Sequence, residues 1–164
     1  MACGYSDARE FFEAVREASA EAERARAALM RMEAREGVRA QGYEARGRSG
    51  GGADRTEATD ARMDYEERMR RRLDEDYALI DLACRVLYGE ESGRGGLDAL
   101  MGSAVADAIS FRYVDARPWG EVAALMGYAP DSVKSLKALC AQGFDCIDFL
   151  GWESVVGGCG GAEG

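Results

Sequence analysis

Lys134 and Lys137 are the only lysines among 21 basic residues; the rest are arginines. They flank Ser135, with Asp131 and Ala138 one turn to either side and Arg112 and Arg117 a short distance upstream. An ammonium can donate to guanine O6 and N7, a hydroxyl to several bases, and a carboxylate can accept from cytosine N4. Guanidinium groups pair with phosphate. That is the chemistry of recognition. Residues for bond-making chemistry are missing. There is no histidine, which removes the commonest general base and metal ligand. The five cysteines, at 3, 84, 140, 146 and 159, form no C-x-x-C pair, which argues against a zinc site and a disulfide framework. No paired-carboxylate signature occurs. The Gly cluster at 42–54 lacks the strand before it and the Lys-Ser/Thr that a phosphate loop requires. The expectation is a protein that is not an enzyme and holds no metal and no cofactor.

The lysines must be positioned by the stretch 119–139. Trp119, Val122, Ala123 and Met126 recur at steps of three and four, giving one apolar helical face. Gly127 can take positive φ and end that helix. Pro130 suits the first turn of a second helix, where its missing N–H has no intrahelical partner to lose. Asp131 in that turn favours the helix dipole. Val133, Leu136, Cys140, Phe144 and Ile147 form the inward stripe, which turns Asp131, Lys134, Ser135, Ala138 and Gln142 outward. Trp119 and Tyr128 read as core or turn-packing residues. A further helix over 97–114, with Leu97, Leu100, Met101, Val105, Ile109 and Tyr113 inward, would complete a three-helix core. Trp152 and Val155 would cap it.

The first half is of another kind. Ser6 is placed to cap a helix in which Phe11, Val15, Ala18, Ala22, Ala25, Leu29 and Met32 alternate in steps of four and three. This heptad seam predicts a helix of about thirty residues ending near Gly37. A second long helix is predicted from about Thr56 to Tyr88, with Tyr65, Met69, Leu73, Tyr77, Ile80, Cys84 and Leu87 as its stripe. Arg68, Arg70, Arg71 and Arg72 lie among Glu66, Glu67, Asp74, Glu75 and Asp76, which reads as a solvated face of opposed charges. No stretch alternates with period two. The predicted fold is all-α: a long N-terminal antiparallel helical hairpin, coiled-coil-like, plus a C-terminal three-helix unit. The hairpin covers 1–88, with a flexible Gly-rich linker at 42–54; the second unit covers 97–156, and 157–164 forms a disordered tail.

The formal net charge is −9, from 30 acidic and 21 basic residues, so the chain as a whole is no polyanion binder. No apolar run could span a membrane and no signal-peptide pattern appears. These features predict a soluble cytoplasmic protein without a membrane partner.

The stretch 119–139 resembles the helix-turn-helix of DNA-binding proteins. It has a small residue, Ala123, four positions before the turn glycine, apolar residues around the turn, and Val133 and Leu136 as anchors beneath the second helix. The wider segment, with Arg112-Tyr113, Trp119-Gly120-Glu121-Val122-Ala123 and Met126-Gly127-Tyr128, resembles region 4 of sigma-70-type factors and their phage-encoded relatives. The nearest likeness is to a family of small prophage proteins of unknown function, which carry a long helical hairpin before a sigma-region-4-like helix-turn-helix. In motif the resemblance covers about residues 109–140. The family's recognition helix is more basic than this one, where Asp131, Ser135 and Lys137 stand at often cationic positions. Residues 97–156 carry 4 basic and 8 acidic side chains.

The resemblance implies a DNA-binding transcriptional regulator that places the 130–150 helix in the major groove of double-stranded DNA. Lys134, Ser135, Asp131 and Ala138 would face base edges, and Lys137, Arg117 and Arg112 would meet phosphates. For Asp131 a first-turn helix charge is the simpler role, and for each lysine a solvated surface position weighs equally. The hairpin would make a homodimer or contact RNA polymerase. The alternative is a protein-binding adaptor that kept the polymerase-contacting surface of region 4 without binding DNA, and the acidic balance favours it.

Overall fold

The computed structural model describes residues 4–43, 52–90 and 95–157. Among them there are helices and turns and no strand, so the fold is all-α. The helices are α1 (Ala8–Tyr43), α2 (Gly52–Tyr88), α3 (Gly96–Met101), α4 (Ser103–Ile109), α5 (Trp119–Leu125), α6 (Val133–Leu150) and α7 (Trp152–Gly157). A π-helical turn, Ser110–Val114, continues α4, and a 3₁₀ turn, Pro130–Ser132, leads into α6.

Contacts divide the chain into two compact units, and the division cuts across both long helices. One unit comprises Glu21–Tyr77; the other comprises Met1–Ala20 and Ala78–Gly164. In the first, α1 and α2 pack through Ala22, Ala25 and Leu73, with Leu29 and Met69 against them. Small alanines let the two backbones approach closely. Arg72 pairs with Glu21 at 3.1 Å and Arg62 with Glu36. One index rises as the other falls, which makes the two segments antiparallel. Arg70 and Arg71 pair with Glu66 and Glu67 at the i, i+4 spacing, so much of the arginine cluster is engaged in surface ion pairs. Each is worth only a few tenths of a kcal/mol.

The second unit holds the larger core. The seam residues Phe11 and Val15 are fully buried there, together with Ala8 and Phe12. Ala83, Val86 and Leu87 of α2 join them, as do Leu97, Val105, Ile109, Val122, Leu136, Cys140, Phe144, Ile147 and Val155. Aromatic rings order this core. Phe12 stacks on Phe144 at 5.4 Å, Tyr113 meets Phe144 edge-on at 5.4 Å, and Phe11 meets Trp152 at 4.8 Å. Offset and edge-to-face pairs satisfy the ring quadrupoles and add to the area they bury.

Several boundaries differ from the sequence expectation. α1 runs past Gly37 to Tyr43, because one interior glycine costs only about 1 kcal/mol among good helix formers. Its cap is Asp7, not Ser6: Asp7 Oδ1 accepts from the Glu10 amide at 2.8 Å, while the Glu10 carboxylate reaches back to the Ser6 amide and hydroxyl. These hydrogen bonds from Ser6 hold the Glu10 carboxyl below its ordinary value. α2 begins at Gly52, earlier than Thr56. Of the linker expected at 42–54, residues 42–43 and 52–54 are helical, and 44–51 lie outside the described residues. Tyr65 and Tyr77 are exposed, and among the described side chains of α2 the buried ones are Leu73, Ala83, Val86 and Leu87. The helix expected over 97–114 is interrupted at Gly102, whose φ of 95° breaks the α ladder while its amide closes on the Asp98 carbonyl. It then widens to π geometry, with the Asp115 amide donating to the Ser110 carbonyl. The start of the expected tail is instead the last residue of α7; 158–164 lie outside the described residues.

Candidate nucleic-acid interface

The expected helix, turn and helix are present as α5, the 3₁₀ turn and α6. α5 starts after Pro118, whose carbonyl accepts from the Glu121 and Val122 amides at 3.0 and 3.1 Å. It ends in a Schellman closure. Gly127, at φ 71°, donates to the Ala124 carbonyl at 3.2 Å, and Tyr128 donates to the Ala123 carbonyl at 2.8 Å. Such closure needs positive φ at the first residue past the helix, and glycine takes it without strain. Ala129 is extended, as a residue before proline must be. Val122 and Ala123 are buried against the underside of α6, where Leu136 and Cys140 are also buried.

This frame turns Asp131, Lys134, Ser135, Ala138 and Gln142 to solvent, with Val133 half-buried and Leu136 fully buried beneath. Phe149, two turns beyond Gln142 on the same outward side, is 88% exposed. Leu125 and Tyr128 are exposed beside the turn. Tyr128, expected as a core or turn-packing residue, is exposed, and the exposure of Leu125 and Phe149 was not anticipated. Leu125 stands off the 119/122/123/126 stripe and Phe149 off the 136/140/144/147 stripe, so the same spacing rule could have found them.

The flanking cations behave differently from one another. Arg117 donates to Glu121 Oε2 at 3.1 Å, so its charge is matched inside its own helix start. Arg112 sits on the π-helical turn, donates to the Arg117 carbonyl at 2.9 Å, and lies 4.9 Å from the centre of the Trp119 ring. Lys137 approaches the same ring to 5.7 Å. Trp119 therefore brings together two of the expected phosphate contacts, 25 residues apart in sequence. Cations are drawn to the negative face of an indole. Burial and the nearby Arg16 charge push the Arg112 guanidinium below its ordinary value. Tyr113, beneath it, is raised by burial and by Glu13.

Burial pushes the Cys140 thiol up to about 12, which leaves it a protonated core group. Cys84 is likewise raised by burial and by Asp81. Among the described residues no group of His, Cys, Asp and Glu is disposed to hold a metal ion, and no helix is long and apolar enough to cross a membrane. Comparison with protein-family models, with curated proteins and with solved structures gave no match.

Proposed function

We propose that this protein is a DNA-binding transcriptional regulator of the prophage, sigma-region-4-like kind, presenting the 130–150 helix to the major groove. The observation that carries the reading is the outward face at the start of α6. Lys134, Ser135 and Ala138 are exposed there, directly after a glycine-closed turn that fixes the helix on α5. Short or flexible side chains on the first turns of such a helix can reach base edges. The test is a salt titration of binding to random duplex DNA, with Lys134→Ala and Lys137→Ala beside the wild type. A linear fall of log affinity with log salt is expected, with a slope reduced by roughly 0.9 for each phosphate contact removed. A folded wild type that does not bind at low salt ends the reading.

A second reading, a protein-binding adaptor that contacts RNA polymerase, has its own support. Arg117 is matched by Glu121, acidic residues outnumber basic ones over 97–156, and Phe149 is 88% exposed on α6. Retention of purified RNA polymerase by the wild type but not by Phe149→Ala, without DNA binding, would favour it. In either case the hairpin is proposed as the dimerising or polymerase-contacting arm.

A further inference from the structure

The N-terminal helix carries two arginines that the sequence reading left without a role. Arg9 and Arg16 lie seven residues apart on α1, two turns and about 10 Å along one side of the helix. Both belong to the same compact unit as α6. Arg9 lies over the Phe144 ring at 5.6 Å. Phe144 meets Tyr113 at 5.4 Å, Tyr113 meets Trp119 at 6.5 Å, and Trp119 carries Arg112 and Lys137. A ridge of three aromatic rings thus bears cations from α1, the π-helical turn and α6.

The ridge is positive in a chain whose net charge is −9. Among the described residues Arg9, Arg112 and Lys137 form no ion pair, and Arg16 has only a 4.0 Å approach to Glu13. Glu13 also acts on Arg112 and Tyr113, and Asp148 accepts from the Ala8 amide at 2.8 Å. The Nε atoms of Arg16 and Arg112 are buried without an acceptor. Those two nitrogens are closed to solvent, so an anion would meet the outer guanidinium nitrogens and relieve the repulsion between Arg16 and Arg112.

We infer that Arg9 and Arg16 extend the Arg112–Lys137 pair into a strip that binds the phosphodiester backbone of duplex DNA beside the groove entered by α6. The inference rests on the DNA-binding reading and names the surface that would offset the acidity of the C-terminal segment. It also explains why basic residues are scarce within 97–156: the phosphate contacts come in part from the N-terminal helix.

The test uses the full chain and random duplex DNA over a range of salt, with Arg9→Gln, Arg16→Gln and, as a control on the other unit, Arg26→Gln. Thermal unfolding of each variant confirms that it is folded. Arg9→Gln and Arg16→Gln should each weaken binding to all sequences alike and lower the salt slope by roughly 0.9, while Arg26→Gln leaves it unchanged. A merely structural role would lower stability without changing the slope. Wild-type binding with unchanged slopes in both strip variants overturns the inference and leaves the DNA reading standing. No binding by the folded wild type overturns both.

Discussion

The backbone amide of Ala8 donates to Asp148 Oδ1 at 2.8 Å, across 140 residues of sequence. Ala8 is the first residue of α1, and its amide has no intrahelical acceptor. A carboxylate near the far end of α6 thus takes up the first amide of α1, beside the Asp7 cap that serves the Glu10 amide. Asp148→Ala should lower the stability of this unit by about 1 kcal/mol, read as a shift in urea midpoint without a change in m-value. Asp148→Asn, which keeps an acceptor oxygen, should retain most of it. Equal midpoints for Asp148→Ala and wild type would show the contact to be idle.

Two glycines should respond very differently to a methyl group. A Cβ on Gly96 would lie 2.3 Å from the Gly89 amide nitrogen and 2.5 Å from the Tyr88 carbonyl carbon, both backbone, at a φ of 83°. Neither neighbour can rotate away, so Gly96→Ala should cost on the order of 3 kcal/mol. A Cβ on Gly143 would meet only side-chain atoms, Ile109 Cδ1 and Val105 Cγ1 at 2.8 Å and Leu97 Cδ2 at 3.1 Å, in a buried core that must shift as a whole. Repacking and the gain in helix propensity should hold that loss to roughly 1–2 kcal/mol. Chemical denaturation of the pair checks the order, and a costlier Gly143→Ala would contradict it.

Ala116 has a φ of 54°, the left-handed region, and is the only non-glycine residue described there. It turns the chain from Arg112 towards Pro118 and Trp119. An L-residue in that region is strained by about 1–2 kcal/mol, against roughly 0.4–1 kcal/mol of added unfolded-state entropy for glycine. Ala116→Gly should therefore leave stability unchanged or raise it by up to about 1 kcal/mol. A lowered Tm would mean that the strain is not there.

Alkaline pH should destabilise the C-terminal unit. Tyr88 donates to Asp107 at 2.8 Å, and burial pushes its phenol up to about 12 from 10.0. Cys140 rises to about 12 from 9.0. Both groups are held neutral in the folded state. Their contributions are fully present below the unfolded values and are lost as pH rises through about 12. Denaturation midpoints should fall as the pH is raised above 9, and less steeply in Tyr88→Phe. Ultraviolet titration should find Tyr113, which is buried, and Tyr88, which is bonded to Asp107, ionising above the ordinary phenol range. A single shared transition near pH 10 would contradict the burial argument.

Glu121 matches Arg117 at 3.1 Å. If duplex DNA is the partner, Glu121→Gln removes one repelling charge and releases one cation. Affinity for random duplex should rise several-fold at low salt, with a salt slope steeper by up to about 0.9. An unchanged slope would mean that Arg117 lies away from the phosphates.

The heptad seam from Phe11 to Met32 and the stripes of α5 and α6 were legible because burial on a helix follows its period, whatever the helix packs against. Gly127 and Pro130 were legible for a related reason: the backbone states they favour are local. The sequence alone thus determined the all-α class, the turn between α5 and α6, and the outward set Asp131, Lys134, Ser135 and Ala138. It could not say what the seam packs against, since a period names a face but no partner. Only the tertiary structure decided that Phe11, Phe12 and Val15 enter the same core as Phe144 and Ile147, that Asp148 takes up the first amide of α1, and that Arg112 and Lys137 share Trp119. It also decided that Arg117 is taken by Glu121, and that the 97–114 helix breaks at Gly102 and widens at Ser110. Each of these depends on which surfaces meet across long separations in sequence, where shape and charge are matched between elements and local preference has no hold.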